Sequence, residues 1–142
     1  MIVSIPAGNS AGQGGGIFNY HQQGALAARE STNMLEGNIQ LLNILLASNT
    51  FANCERSAQT NSIVSLWGNL DSGTSCELNT LLGDQVAIGP LLGPLQDNGG
   101  FTQTQALPAG SPAIDAGQKD GCPVEDQRGV TALRALTGST SP

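Results

Sequence analysis

Charged residues are scarce in this chain. Among its 142 residues, five are Lys or Arg and eleven are Asp or Glu, which makes 11% charged residues and a formal net charge of −6. Because phosphate binding needs a basic face, this composition argues against a nucleic-acid partner. The polar surface must come from uncharged side chains. Together with 19 Gly, such a surface favours stacked β-structure, in which rows of like charges would repel.

Long hydrophobic runs are also missing. No apolar run reaches the roughly 18 residues of a membrane helix, so we expect no membrane insertion. Residues 1–10 have no basic stretch and only a short apolar run, so they do not resemble a signal peptide. Since the motif that follows looks like the middle of a repeat, we expect a piece of a longer exported protein.

Histidine and cysteine are few, and no Cys lies in a CxxC pair, which argues against a zinc site. The single His21 is expected in an exposed loop. A disulfide between Cys54 and Cys76 would close a loop worth about 3 kcal/mol and would imply an oxidising compartment. Cys122 would then be unpaired, with a partner beyond this chain. The alternative is three buried or inert thiols.

Short apolar runs separated by Asn and Gly predict β-strands. They lie at residues 39–46, 61–66 and 78–88, and residues 24–37 are predicted as two strands, with a short helix as the alternative. No extended helical pattern is present, so the predicted class is all-β.

Asparagine marks a loose repeat along these runs. Asn19, Asn43 and Asn61 each lie beside an apolar run, and they are 24 and then 18 residues apart. A period near 20–25 residues is typical of a solenoid, in which Asn side chains at one corner can stack. The alternative is a small β-sandwich whose hairpin loops contain the Asn and Gly.

Residues 89–117 read GPLLGPLQDNGGFTQTQALPAGSPAIDAG, which predicts a series of tight turns at the end of the fold. This segment, with GGGIFN at 14–19, NILLASN at 43–49 and SLWGNLDS at 65–72, resembles the C-terminal part of choice-of-anchor Q proteins. Those are right-handed parallel β-helix proteins related to polymorphic outer-membrane-protein-like repeats. The chain departs from the family pattern after residue 129, where the usual second Cys and closing strand are replaced by a polar tail.

The resemblance implies a right-handed parallel β-helix of about three to four rungs over residues 1–88. A turn-rich cap would follow at 89–129 and a tail at 130–142. It also implies a non-catalytic, adhesin-like module of a secreted or cell-surface protein, without a shared catalytic centre. Expected partners are upstream rungs, a second copy, or a carbohydrate or host surface.

Acidic residues concentrate near the end of the sequence. Asp97, Asp115, Asp120 and Asp126 are predicted to serve turns, with Asp97 forming an Asx turn over Gly99. A structural calcium bound by these four is the second interpretation. The third is an acid/base pair in a fragment of a polysaccharide lyase or hydrolase. Aromatic residues are few, and Trp67 is the best single candidate for a ligand contact, although it could equally cap the core.

Overall fold

The computed structural model describes residues 16–19, 39–56, 63–119 and 123–131. Within these ranges the chain forms short strands and one 3-10 turn, which confirms the all-β class, and no helix there is long and apolar enough to cross a bilayer. The predictions for residues 24–37, His21, Asn61, Cys122, Asp120 and the tail beyond 131 concern residues outside the described part. The strands are β1 (Ile17–Asn19), β2 (Ile39–Leu42), β3 (Leu45–Leu46), β4 (Cys54–Arg56), β5 (Ile63–Trp67), β6 (Leu70–Asp71), β7 (Gln85–Val86), β8 (Leu95–Gln96) and β9 (Thr104–Gln105).

The first seven strands pair in parallel. β1 pairs with β4, β2 pairs with β5, and β3, β6 and β7 form a three-stranded sheet in that order. In register, Ile39 lies opposite Ile63, while Leu45 lies opposite Leu70, which lies opposite Gln85. A parallel partner requires the chain to cross back to the same end of the sheet, so the backbone returns after 24, 25 and then 15 residues.

The last return is shorter than the predicted period because a 3-10 turn, Thr80–Leu82, replaces most of the strand expected at residues 78–88. The Asn79 side chain accepts from the Leu81 N–H, and Gly83 ends the turn in the left-handed region at φ 71°. Asn at the start and a left-handed Gly at the end are the usual signals for a short helical turn. Only Gln85 and Val86 remain extended.

The three-stranded sheet is buried on both faces. Successive residues of a strand point to opposite faces. Leu46 accordingly joins one apolar cluster, with Leu41, Cys54 and Cys76. Leu45 joins a second cluster, with Ala47, Leu70 and Ala113, and Leu92 and Leu107 pack against it. Residues that follow position 88 therefore cover the outer face of the sheet, on the flank of the coiled strands.

Hydrogen bonds hold this C-terminal segment against the strands. The Gln85 Nε2 donates to the Pro112 carbonyl at 2.9 Å, and the Ser111 hydroxyl donates to the Pro90 carbonyl at 2.6 Å. Gln118 exchanges hydrogen bonds with the buried side chain of Asn43, 75 residues earlier. Beyond the sheet, β8 and β9 form an exposed antiparallel hairpin.

Cys54 and Cys76 form a disulfide with their Cα atoms 4.9 Å apart, as predicted for this pair. Both half-cystines are buried in the first apolar cluster. The disulfide thus connects β4 to the chain that follows β6 and closes the interior of the coiled strands.

Candidate functional site

A fully buried carboxylate lies inside the coiled strands. Asp71 has no solvent exposure, and its Oδ1 accepts from the Gly73 N–H at 2.8 Å and from the Asn53 side-chain amide. Its Oδ2 accepts from the Cys76 N–H at 3.1 Å. Neutral donors therefore satisfy both oxygens, which is what a buried carboxylate requires when no cation faces it.

Asp84 repeats this arrangement on the next return of the chain. It is 5% exposed, and its Oδ1 accepts from the Asn69 N–H at 2.8 Å and from the Asn69 side-chain amide at 3.1 Å. Its Oδ2 accepts from the Asn79 N–H at 3.1 Å. Each of the two carboxylates thus bonds an Asn from the preceding return of the chain.

This polar interior was not predicted. The sequence argument looked for carboxylates after residue 97 and for a ladder of Asn19, Asn43 and Asn61, but the buried amides that bond carboxylates belong to Asn53 and Asn69. The available signal was the order Asn69-Leu70-Asp71, in which two polar residues flank a buried Leu. Since both oxygens of each carboxylate are occupied, Asp71 and Asp84 hold the coil together and are not placed for acid/base chemistry.

The predicted acidic residues lie in turns. Asp97 accepts from the Gly99 N–H at 2.9 Å, which confirms the predicted Asx turn. Asp115 is exposed at the surface in the left-handed region with φ 58°. Among the described residues no group of three or more His, Cys, Asp or Glu is arranged to hold a metal ion, so the calcium site stays a prediction.

Asp126 forms an ion pair with Arg128 at 2.6 Å. The hydrogen bond from the Arg128 guanidinium is the main cause that lowers the pKa of the Asp126 carboxyl, and the Val130 and Arg128 backbone N–H groups act in the same direction. Because the folded pKa lies below the unfolded one, this turn is stabilised above the unfolded pKa. That stabilisation is lost as the pH falls through the folded pKa.

Replacing Arg128 by Gln is expected to raise the pKa of Asp126 toward its ordinary value, because the guanidinium donor and its charge are removed. The carboxyl carbon chemical shift of Asp126, followed by NMR against pH, measures this change. Lys119→Gln removes a positive charge outside the turn and is the control, for which we expect the titration curve of the unaltered chain. An unchanged curve for Arg128→Gln would show that the backbone N–H groups set the pKa.

Trp67 ends β5 with 43% of its surface exposed. Its ring faces Gly83, where an added Cβ would lie 3.8 Å from the Cε3 atom. Leu66 on the same strand is 38% exposed and Leu81 in the 3-10 turn is 87% exposed. Trp67 is therefore accessible at the side of the last return of the chain, as a contact residue must be.

An open cleft lies between the coiled strands and the C-terminal segment. Its volume is about 350 Å³, which lies within the range of small-molecule sites. Serine hydroxyls form one wall, and an apolar stretch that follows β7 forms the other. The lining residues are Ser48, Ser72, Gly89, Pro90, Leu91, Leu92 and Gln105. All of them are uncharged. Sequence reasoning missed this cleft, because its walls are more than 15 residues apart in the chain.

Two lining residues have an unusual backbone conformation. Ser48 has φ 54° and Leu91 has φ 55°, in the left-handed region where a side chain other than that of Gly, Asn or Asp is disfavoured. Leu91 is nevertheless 60% exposed. Since strained residues that are retained at the surface concentrate at functional sites, the cleft is the best candidate site in the described residues.

Comparison with known proteins identifies no relative. No protein-family model matches the chain, and neither a curated protein nor a solved structure matches it. The functional argument therefore rests on the geometry described above.

Proposed function

We propose that this chain is a non-catalytic structural and interaction module, built as part of a right-handed parallel β-helix in an adhesin-like protein that is secreted or displayed on a cell surface. The observation that carries the proposal is the register Leu45, Leu70 and Gln85, in which three successive returns of the chain stack in parallel. A small β-sandwich would instead be built from antiparallel strands.

The buried polar contacts support the same architecture. The Asn53–Asp71 and Asn69–Asp84 contacts join residues that are 18 and 15 positions apart, so each one connects neighbouring returns of the chain. In a solenoid each repeat contacts mainly its neighbours, and such contacts provide the stabilisation between them.

The disulfide supports an exported location. Disulfides persist in oxidising compartments such as the extracellular space and are rare in the cytosol. The Cys54–Cys76 bond is buried in the core of the coil, as a structural disulfide would be.

Self-association is part of this proposal. In the described strands the sheet order leaves β7 with a partner on one side only, and a strand edge is a template for pairing with another chain. The adjacent 3-10 turn presents Leu81, whose side chain is 87% exposed. A second copy stacked on this end would bury that side chain.

Sedimentation velocity over a range of concentrations tests the proposal. We expect reversible dimers, and we expect Leu81→Lys to raise their dissociation constant at least about tenfold, since burying a Leu is worth roughly 1.5–3 kcal/mol. Phe101→Lys is the matched control, because Phe101 is fully exposed on the β8–β9 hairpin loop and should leave the constant unchanged. A chain that stays monomeric at all concentrations would contradict self-association.

Turnover assays separate the module from an enzyme. Purified chain incubated with neutral and acidic polysaccharides is expected to release no reducing ends and no unsaturated sugars. Product formation that Asp97→Ala, Asp115→Ala or Asp126→Ala abolishes would replace this proposal with the polysaccharide lyase or hydrolase alternative.

A further inference from the structure

We propose that the cleft between the coiled strands and the C-terminal segment binds a neutral saccharide unit. The inference rests on the proposed interaction module and names the ligand class and the site it uses. Ser48 and Ser72 form the polar wall, and Pro90, Leu91 and Leu92 form the apolar wall.

The first argument is charge. The residues that line the cleft carry no ionisable side chain. The nearest buried carboxylate, Asp71, already accepts three hydrogen bonds from the interior. A charged ligand would lose its hydration without gaining an opposite charge. The cleft therefore favours a ligand that is polar and uncharged.

The second argument is the orientation of the Ser72 hydroxyl. Its Oγ accepts from the Ser48 N–H at 3.2 Å and from the Asn53 side-chain amide at 3.0 Å. A hydroxyl has two acceptor positions and one hydrogen to donate, so Ser72 has its acceptor positions filled and its hydrogen available. Asn53 is held in turn by Asp71. This fixed donor matches a ligand hydroxyl or ring oxygen.

The third argument is the exposed apolar wall. Leu91 stays at the surface although its left-handed backbone would suit Gly better. An apolar face opposite hydroxyl donors fits an amphipathic ring, and a hexose has C–H groups on its face and hydroxyls around its rim. The volume of about 350 Å³ accommodates a ligand of small-molecule size.

The full chain, labelled with ¹⁵N, is titrated with methyl α-glucoside, methyl β-galactoside and methyl α-mannoside, and amide shifts are recorded by NMR. We expect at least one of these to bind with a dissociation constant on the order of 1 mM, with shift changes concentrated at residues 48, 72 and 89–92. Glucosamine and methyl glucuronoside are the charged probes. We expect them to bind more weakly than their neutral counterparts.

Two variants test the two walls. Ser72→Ala removes the oriented donor and should weaken binding about fivefold. Leu91→Gly removes the apolar contact and should weaken it by a similar factor. Its thermal midpoint should change little, because relief of the left-handed strain offsets the greater freedom of the unfolded chain. Leu95→Ala is the matched control: Leu95 is as exposed as Leu91 but lies on β8, and this variant should bind normally.

Three results would overturn the inference: no shift change with any neutral glycoside, changes centred on Trp67 instead of the cleft, or equal affinity for the charged probes. If glycosides fail while concentration-dependent dimers persist, only the saccharide site is wrong. If the chain is monomeric and processes polysaccharide, the proposed module itself is wrong.

Discussion

Replacing Asp71 by Ala is expected to lower the free energy of unfolding by about 3–5 kcal/mol. The substitution leaves the Gly73 and Cys76 N–H groups without their acceptor and removes one acceptor of the Asn53 amide, all in the interior. Since small domains are stable by only about 5–15 kcal/mol, a large fraction of this variant should be unfolded at moderate urea concentrations. Urea titration followed by the fluorescence of Trp67, the single Trp, measures the loss.

Two further variants sharpen this prediction. Asp71→Asn keeps the shape but replaces one acceptor oxygen by a donor, so it should retain less than half of the lost stability. Asp97→Ala removes an exposed carboxylate that serves a local turn and should cost less than about 1 kcal/mol. If Asp71→Ala were no more destabilising than Asp97→Ala, the buried carboxylates would not be what holds successive returns together.

Removing the Cys54–Cys76 disulfide should have the second largest effect, a loss of about 3 kcal/mol. The bond spans 22 residues, and a cross-link of this length restricts the unfolded chain substantially. The comparison is made in a Cys122→Ala background, which prevents thiol exchange with the third cysteine. Cys54→Ala with Cys76→Ala should shift the urea midpoint downward.

Reductant supplies the control for the disulfide. Dithiothreitol should lower the midpoint of the Cys122→Ala chain to about that of the variant without any cysteine, and it should leave the latter unchanged. An intact mass lower by two hydrogens than that of the reduced Cys122→Ala chain verifies the bond. A Cys122→Ala midpoint that does not respond to reductant would show that the loop closed by the disulfide is already ordered without it.

Local signals in the sequence were sufficient for some elements of the fold. The all-β class followed from short apolar runs bounded by Asn and Gly, and the Asx turn at Asp97 followed from the Gly two positions later. These features depend on residues that are close in the chain. The pairing of Cys54 with Cys76 was one of two open alternatives, and the structure contains it.

The rest depended on register, which the sequence does not specify locally. Leu45 and Leu46 are chemically equivalent neighbours, yet they belong to different apolar clusters, and nothing in the run NILLASN distinguishes them. Asp84 is buried because its acceptors meet Asn69 on the previous return, 15 residues away. The candidate cleft was not foreseen for the same reason, since Ser48 and Leu91 meet only after the strands have stacked.

The covering of Leu45 and Leu70 by Ala113 has a consequence for how the chain is made. The outer face of β3 and β6 remains greasy until residues more than 40 positions downstream have emerged and docked. Early coils are thus held back from completion during synthesis or export, and the whole segment up to Gln118, which bonds Asn43, must be delivered before the fold can close. A chain interrupted ahead of residue 107 would expose this stripe and be a substrate for chaperones and proteases.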